Sequence, residues 1–353
     1  MNSAIPPMLY RRLGRTGLEV SAISLGSWAT FGECVDDDTT AAVLDLAYAR
    51  GVNLFDCAET YARGAAEAAL GRAFRRLGWP RETFLVSGKV FWGVHGRRPN
   101  TWGLSRKHVF EGCDATLRRL GLDYLDLFFC HRYDENVPLV ETVRAMSDLV
   151  RQGKILHWGT SEWSTFQIRE ACRIARADGF VPPQVEQVQY NFLTRDKVEG
   201  EMRELKADVG IGLAVWSPLA YGLFAGRYDD GEPQNGRLDL RKYAWLREAA
   251  LGSEEADVLQ RVRAVNALAR EIGTTPSRMA LAWVLRNPDV DTAITGASSP
   301  NQLRDTLGAL AIVERIDDGL SQRIEVALGR TGGAPERSNA IRELAAPPDV
   351  LQQ

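Results

Sequence analysis

Eight short apolar runs recur along this chain, and most of the segments between them have the spacing of amphipathic helices. The runs cover 22–25, 52–55, 84–86, 125–130, 155–158, 185–188, 211–215 and 292–294. They are continuous rather than alternating, which is typical of parallel strands buried on both faces. Eight strand–helix units in one chain predict an α/β fold of the (β/α)8 type, a TIM barrel, rather than an open sheet.

Two further features flank the predicted barrel. Residues 9–13 and 18–21 form short strand-like segments around a Gly-bounded turn, so we expect an N-terminal β-hairpin. A long loop follows the seventh barrel strand, and its Gly/Asp-rich stretch at 228–236 is typical of a lid or binding loop. We therefore assign residues 1–330 to a single barrel domain and residues 331–353 to a poorly packed C-terminal tail.

Composition and charge disfavour several classes of protein. The 353 residues are 45% hydrophobic and 25% charged, which is typical of a globular domain. A formal net charge of -3 gives no strong attraction to nucleic acid or to an anionic membrane, and no apolar run is long enough to span a membrane. The N-terminus lacks the pattern of a signal peptide, and the five scattered cysteines indicate free thiols. We expect a cytoplasmic protein with neither a nucleic-acid nor a membrane partner.

Four polar side chains lie at or just after the ends of three successive predicted strands. They are Asp56, Tyr61, Lys89 and His131. Chemistry in such a barrel takes place at the carboxyl ends of the strands. These side chains should therefore converge at the opening formed by those strand ends, which we call the mouth of the barrel. Each has a structural alternative: a helix cap for Asp56, a solvated strand end for Lys89, a hydrogen-bonded structural histidine for His131 and half-buried packing for Tyr61. Their occurrence together favours a catalytic set.

The chemistry of these four residues suits the reduction of a carbonyl group. Tyrosine has an ordinary pKa of about 10, and a nearby lysine ammonium is expected to lower it. A carboxylate would keep that lysine in place and charged, while a histidine could orient the carbonyl oxygen that the tyrosine protonates. The absence of an activated Ser or Cys nucleophile disfavours hydrolysis. Because the four histidines form no His-x-His pair, we expect no metal site.

An ordered series of motifs in this chain resembles the aldo-keto reductases. The sequence F-D-C-A-E-T-Y at 55–61 is similar to the F-D-T-A-x-x-Y motif of that family, and W-G-T-S at 158–161 also matches. The resemblance extends over about 9–329. G-S-W-A-T-F-G at 26–32 and V-F-W-G at 90–93 make it most similar to the β subunits of voltage-gated potassium channels and their bacterial relatives. It implies a (β/α)8 barrel that binds NADP(H) at the carboxyl ends of its strands.

The resemblance also assigns the catalytic tetrad of the family. It falls on Asp56, Tyr61, Lys89 and His131, with Tyr61 as the proton donor. Channel β subunits usually carry asparagine at the position of His131, so the histidine favours a working NADPH-dependent reductase of aldehydes or ketones. The alternative is an NADP(H)-binding regulatory subunit with weak catalysis. The resemblance suggests a homo-oligomer as well.

The implied cofactor contacts surround the predicted mouth. Trp216 would stack on the nicotinamide, Ser161 and Gln187 would bind its carboxamide, and Arg237 would favour the 2′-phosphate of NADP. The full set is Ser27, Trp28, Asp56, Ser161, Gln187, Trp216, Ser217, Leu219, Arg227, Arg237, Gly296, Ser298, Gln302, Asp305 and Thr306. No G-x-G-x-x-G loop lies between a strand and a helix, which argues against a Rossmann domain.

Parts of this assignment keep alternatives. The helix N-terminus after Gly296 suits a phosphate, but capping by Ser299 or Asn301 explains the same residues equally well. Glu162 stands where the channel subunits carry arginine, and Cys34 where they carry glutamine, so both of those cofactor contacts are open.

The expected substrate contacts are aromatic. They are Trp28, Trp92 and Tyr133, with Phe91 and Trp163 beside them. This lining suggests apolar or aromatic carbonyl compounds as substrates, although aromatic residues at the starts of loops are also common in ordinary packing.

Overall fold

A closed barrel of eight parallel strands forms the centre of the molecule. The computed structural model describes residues 6–229, 238 and 243–330. The strands within these residues are β1 Tyr10–Arg12, β2 Glu19–Ser21, β3 Ile23–Gly26, β4 Leu54–Asp56, β5 Leu85–Val90, β6 Leu125–Cys130, β7 Ile155–Ser161, β8 Val185–Gln189, β9 Gly212–Trp216 and β10 Thr292–Thr295. The barrel order is β10-β3-β4-β5-β6-β7-β8-β9. The predicted (β/α)8 barrel is therefore confirmed, and each apolar run supplies one barrel strand.

Helices surround the barrel. They are α1 Asp37–Ala49, α2 Ala65–Leu77, α3 Arg106–Leu120, α4 Leu139–Arg151, α5 Thr165–Asp178, α6 Arg203–Val209, α7 Ala244–Leu251, α8 Glu255–Glu271, α9 Pro276–Arg286, α10 Pro300–Leu307 and α11 Asp318–Ala327. Local sequence explains several of their ends. Ser105 caps α3 by accepting a hydrogen bond from the His108 amide, and Gly121 ends that helix in the left-handed conformation. No helix among the described residues is both long and apolar enough to cross a membrane.

Two strands extend further than their apolar runs predict. β5 continues from Val86 to Val90, and β7 continues to Ser161. These extensions contain glycine and polar residues, which interrupt the apolar pattern, but they pair in register with neighbouring strands. Gly159 has no room for a side chain, because a Cβ atom there would lie 2.8 Å from the Phe129 ring. Because β5 extends to Val90, Lys89 lies within the strand and not in the loop after it, and the strand fixes where its side chain begins.

The N-terminal hairpin closes the amino end of the barrel. β1 and β2 pair antiparallel, as predicted. Leu13 and Val20 from the hairpin are fully buried. They pack against residues of the barrel strands: Leu54, Leu127, Phe129, Val185, Ala214 and Ile294. Gly14 has a φ of 53° and its amide donates to Asp291 Oδ2 at 3.1 Å, which fixes the hairpin turn. Ligands must consequently reach the barrel from its carboxyl end.

The predicted long connection follows β9, the seventh strand of the barrel. Its described part contains a 3-10 turn at Ala220–Ala225 and then α7, α8 and α9. Tyr221 and Tyr243 of this connection lie with their ring centroids 6.3 and 6.1 Å from that of Trp28, which follows β3. The connection therefore folds back beside the mouth of the barrel. Arg237, most of the Gly/Asp-rich stretch and the tail at 331–353 lie outside the described residues.

Contact between α2 and α3 depends on Gly71. A Cβ atom at this position would lie 2.5 Å from the Leu120 carbonyl oxygen and 2.6 Å from that of Arg119. We predict that Gly71→Ala lowers the free energy of unfolding by about 1–2 kcal/mol, because forced separation of the helices outweighs the better helix propensity of alanine. Urea denaturation measures the change.

Gly319→Ala in α11 is the matched control for Gly71→Ala. Its added Cβ would come no closer than 3.4 Å to another atom, the Asp317 Oδ1 oxygen, so this variant should not lose stability. A Gly71→Ala protein as stable as the wild type would show that the helices are not in close contact here.

Candidate active site

All eight barrel strands place a predicted site residue at or near their carboxyl ends. In strand order from β3 to β10, these residues are Ser27, Asp56, Lys89, His131, Ser161, Gln187, Trp216 and Gly296. Backbone conformation also distinguishes this end of the barrel. Within the described residues, every non-glycine residue with positive φ lies in a segment that follows the carboxyl end of a strand: Ala29, Ala62, Arg63, Asn100, Glu162, Ser217, Ala220 and Tyr221. Such conformations concentrate at functional sites, where surrounding contacts must hold them.

Lys89 and Asp56 form a buried ion pair at the centre of the mouth. Lys89 is fully buried, and its Nζ atom donates to Asp56 Oδ2 at 2.6 Å and to the Cys57 carbonyl at 2.8 Å. Asp56 Oδ1 accepts from Ser87 Oγ at 2.6 Å and from Gln187 Nε2 at 3.0 Å. Burial acts to lower the pKa of Lys89, but Asp56 and Tyr61 outweigh burial and raise that pKa. Lys89 therefore stays charged, and Asp56 positions it instead of capping a helix.

Tyr61 lies beside this ion pair on a strained turn. Ala62 and Arg63 directly after it have φ values of 48° and 52°, and Gly64 continues the left-handed run. Each such non-glycine residue costs roughly 1 kcal/mol or more. The turn places the Tyr61 ring centroid 4.8 Å from Lys89 Nζ and 5.8 Å from the His131 ring centroid. The catalytic tetrad predicted from sequence is thus brought together in space.

The net shift in the pKa of Tyr61 is opposite to the sequence-based expectation. Burial raises the pKa of the phenol, and the neighbouring Lys89 ammonium offsets only part of this effect. The lysine acts in the expected direction, but a phenolate here would lose its hydration and would lie close to the Asp56 carboxylate. Tyr61 consequently holds its proton at neutral pH, as a proton donor should.

His131 is a buried, neutral imidazole at the same mouth. Burial lowers its pKa well below the ordinary value, and the charges of Lys89 and Arg132 lower it further. Its Nδ1 atom has no hydrogen-bond partner among the described residues. This differs from a structural histidine, whose ring is normally hydrogen-bonded. The Trp92 ring centroid lies 4.5 Å from that of His131, so the imidazole adjoins the aromatic part of the mouth.

Glu162 holds the indole of Trp216, a role that sequence reasoning missed. Glu162 Oε1 accepts from Trp216 Nε1 at 2.8 Å and from the Gln189 amide at 2.6 Å, and its Oε2 accepts from Lys197 at 3.2 Å. Burial acts to raise the pKa of Glu162, but Lys197 and Arg132 outweigh burial and lower that pKa. The charged carboxylate therefore sets the orientation of the ring expected beneath a nicotinamide.

A second carboxyl group, Glu186, lies behind Glu162. It is fully buried and accepts from Thr160 Oγ1 at 2.5 Å and from the Trp163 amide at 3.1 Å. Lys197 Nζ lies 3.6 Å from its Oε1 atom. Burial raises the pKa of Glu186 to about 7. This group, absent from the predicted site, supports the base of the mouth.

The raised pKa of Glu186 predicts a pH-dependent contribution to stability. From the ordinary glutamate value of 4.5 up to about 7, the folded protein binds a proton that the unfolded chain has released. Stability from this proton is complete below pH 4.5 and is lost as the pH rises through 7. The free energy of unfolding of the wild type minus that of Glu186→Gln should therefore fall between pH 5 and pH 8 in urea denaturation.

The exposed Glu204→Gln on α6 is the matched control. The free energy of unfolding of the wild type minus that of Glu204→Gln should change far less over the same pH range, because an exposed carboxylate stays hydrated in both states. If the corresponding difference for Glu186→Gln is equally independent of pH, the buried, protonated state of Glu186 is contradicted.

Residues expected at the adenosine end of the cofactor have protein partners. Ser298 donates twice to Gln302 Oε1, at 2.9 and 2.8 Å. Asp305 accepts from Thr275 Oγ1 at 3.0 Å and pairs with Arg278 at 3.0 Å, and Thr306 Oγ1 donates to the Gln302 carbonyl.

The capping alternative at the start of α10 is present in the structure. Ser299 caps α10 by accepting from the Gln302 amide, while Asn301 lies inside the helix. Capping explains Ser299 but does not involve Ser298, so a role for the exposed Ser298 in cofactor binding stays a prediction.

Other groups at the mouth fit a dinucleotide. Ser27 Oγ is buried and has no hydrogen-bond partner within the described residues. Ser217 Oγ accepts from the Tyr221 amide at 3.1 Å, which leaves its own proton available, and the half-buried Leu219 follows it. Arg227 is exposed and has no ion pair in the described part of the chain. A buried hydroxyl in need of a partner, a free hydroxyl proton and a cation match ribose, amide and pyrophosphate groups.

The residue types that bind metal ions do not form a suitable cluster in the described part of the chain. Within residues 6–229, 238 and 243–330, no group of three or more His, Cys, Asp or Glu side chains could hold a metal ion. All five cysteines are free thiols, and Cys34 is the exposed one.

Aromatic side chains line one side of the mouth. Trp28, Trp92 and Tyr133 are half-buried, as substrate contacts require. Trp163 is fully buried behind Tyr133, with ring centroids 4.9 Å apart, so it supports the lining and does not form its surface. Glu59, which sequence reasoning did not assign, holds the loop of Trp92: its Oε1 accepts from the amides of Phe91 and Gly93, both at 2.8 Å.

Comparison with known proteins assigns the family. A model of the Aldo/keto reductase family matches residues 22–325. This chain belongs to the aldo/keto reductase family. It is also 43% identical over 323 residues to a protein of Schizosaccharomyces pombe described as "Putative voltage-gated potassium channel subunit beta", which covers 91% of this chain and 94% of that relative. Members of this family are generally oxidoreductases that act with NAD(P)H on small carbonyl compounds. The predicted resemblance to aldo-keto reductases and the predicted similarity to channel β subunits are both confirmed.

Proposed function

We propose that this protein is an NADPH-dependent reductase that converts aldehydes or ketones to alcohols, with Tyr61 as the proton donor. The observation that carries the proposal is that the Tyr61 phenol stays protonated although its ring centroid lies 4.8 Å from the buried Lys89 Nζ atom. Asp56 holds that ammonium through Lys89 Nζ at 2.6 Å. A phenol in this setting can transfer a proton to an oxygen that is gaining negative charge, because Lys89 stabilises the phenolate that results.

Each residue at the mouth has a distinct part in this reaction. When bound, NADPH supplies the hydride for the carbonyl carbon. Trp216, oriented by Glu162, would support the nicotinamide ring, with Ser161 beside its carboxamide. His131 is neutral and can share a hydrogen bond with the substrate oxygen, which directs that oxygen towards Tyr61. Half-buried Trp92 and Tyr133 would exclude water from the reacting carbon.

The choice of NADPH over NADH rests on positive charge expected beside the adenosine ribose. The family resemblance assigns Arg237 to the 2′-phosphate, and a guanidinium suits a phosphate through its paired donors. Arg227, exposed and without an ion pair among the described residues, would add charge near the pyrophosphate.

A second candidate function is that of an NADP(H)-binding regulatory subunit. The similarity to a putative channel β subunit favours it. The two candidates share the cofactor site and differ in turnover. His131 at the catalytic position, where channel subunits usually carry asparagine, supports the reductase.

The Tyr61→Phe variant tests the proposed reaction. Loss of the phenolic proton should reduce the rate of 4-nitrobenzaldehyde reduction by a factor of roughly 100 or more, while NADPH binding stays near normal because the ring is retained. NADPH absorbance measures the rate, and fluorescence titration measures cofactor affinity.

Tyr48→Phe is the control for this variant. Tyr48 lies on α1, where its hydroxyl contacts Thr83 far from the mouth, so the variant should keep wild-type activity. Full activity in Tyr61→Phe would contradict the mechanism, and tight NADPH binding by a wild type that reduces no aldehyde would favour the regulatory subunit.

A further inference from the structure

Arg132 is a half-buried cation at the mouth that lacks an ion-pair partner among the described residues. It directly follows His131, and its Nη1 atom donates to the His131 carbonyl at 2.6 Å and approaches Ser161 Oγ at 3.5 Å. Its Nε and Nη2 atoms make no hydrogen bond within the described part of the chain. Most of the donor capacity of this guanidinium is therefore available to a ligand.

Most other partly buried arginines among the described residues form ion pairs, and Arg11 instead donates to the backbone carbonyls of Val290 and Leu285. Arg81 pairs with Asp126, Arg119 with Glu67, and Arg195 with Glu199 and Glu325. Burying a charge without a partner is costly, and Arg132 differs from these arginines because only its Nη1 atom has a hydrogen-bond partner among the described residues. A cation left unpaired in a cleft indicates that an anion binds there.

Carboxylates near Arg132 are already engaged. Glu162 influences Arg132 through its charge, but its oxygens bind Trp216, Gln189 and Lys197. Asp56 is held by Lys89. Neither of these carboxylates forms an ion pair with Arg132, because Asp56 pairs with Lys89 and Glu162 pairs with Lys197.

Arg132 lies close to the residue that would orient the reacting carbonyl group. Its guanidinium carbon lies 5.1 Å from the ring centroid of Trp92, and the same indole ring lies 4.5 Å from His131. The guanidinium and the imidazole that would orient the substrate oxygen therefore both lie beside the same aromatic ring. The phosphates of a dinucleotide belong near Arg227 and α10, so the substrate is the ligand placed to reach Arg132.

We propose that Arg132 selects carbonyl substrates that also carry a carboxylate or a comparable oxyanion. This inference rests on the proposed reductase function and specifies its substrate class. A guanidinium binds a carboxylate with two parallel hydrogen bonds, while the indole of Trp92 supports the hydrocarbon part between the two groups. The expected substrates are therefore anionic aldehydes or ketones, which narrows the apolar class suggested by the aromatic lining alone.

Matched pairs of charged and neutral aldehydes test this proposal. The probes are 3- and 4-carboxybenzaldehyde, each compared with its methyl ester, and the quantity is the ratio of kcat/KM for acid over ester. The wild type should prefer at least one acid to its ester. Arg132→Gln should lower that ratio at least tenfold, and Arg132→Lys, which keeps the charge without the paired donors, should give an intermediate ratio. Arg97→Gln removes an exposed arginine beside Trp102 and should leave the ratio unchanged.

A binding measurement separates this inference from the reductase proposal. Isothermal titration of the NADP+-loaded protein with benzoate and with benzamide should show tighter binding of benzoate in the wild type and loss of that preference in Arg132→Gln. Thermal denaturation verifies folding, and Arg132→Lys provides the comparison should Arg132→Gln not fold.

The two proposals fail in different ways. A wild type that reduces none of the aldehydes but binds benzoate through Arg132 would contradict the reductase and retain the anion site. An unchanged acid-to-ester ratio and unchanged benzoate preference in the Arg132 variants would overturn the inference.

Discussion

The buried ion pair between Lys89 and Asp56 is the interaction on which the mouth of this barrel depends. Either charge alone would be strongly destabilising in a buried site, and together they are tolerated only because further hydrogen bonds satisfy them. Ser87, Gln187 and the Cys57 carbonyl supply those bonds. The pair links β4, β5 and β8, and it places a permanent cation beside Tyr61.

Much of this arrangement follows from the sequence. Continuous apolar runs identified all eight barrel strands, since strands buried on both faces need apolar residues throughout. The topology of a parallel barrel then brings Asp56, Lys89 and His131 to one end, because the carboxyl ends of its strands face the same way. The ends of α3 at Ser105 and Gly121 have equally local causes, a side-chain cap and a left-handed glycine.

Features that depend on contacts between distant segments were not predictable. Glu162 and Trp216 are 54 residues apart, and no local pattern indicates their hydrogen bond. The direction of the pKa shift of Tyr61 depends on a balance between burial and Lys89 that only the packed structure reveals. Arg132 was overlooked because a single arginine after a strand is ordinary, and its significance lies in the ion pair it does not make with described residues.

The pH dependence of aldehyde reduction tests the central claim most directly, namely that burial outweighs the effect of Lys89 and holds Tyr61 as a protonated acid. Because the pKa of Tyr61 is raised, the phenol keeps its proton through neutrality. We therefore expect kcat/KM, corrected for the Tyr61→Phe background, to stay constant from about pH 6 to pH 9 and to fall only where the phenol ionises. A Tyr61-dependent fall centred near pH 7 that persists in Glu186→Gln would contradict this account, because it would then require a phenol whose pKa is lowered.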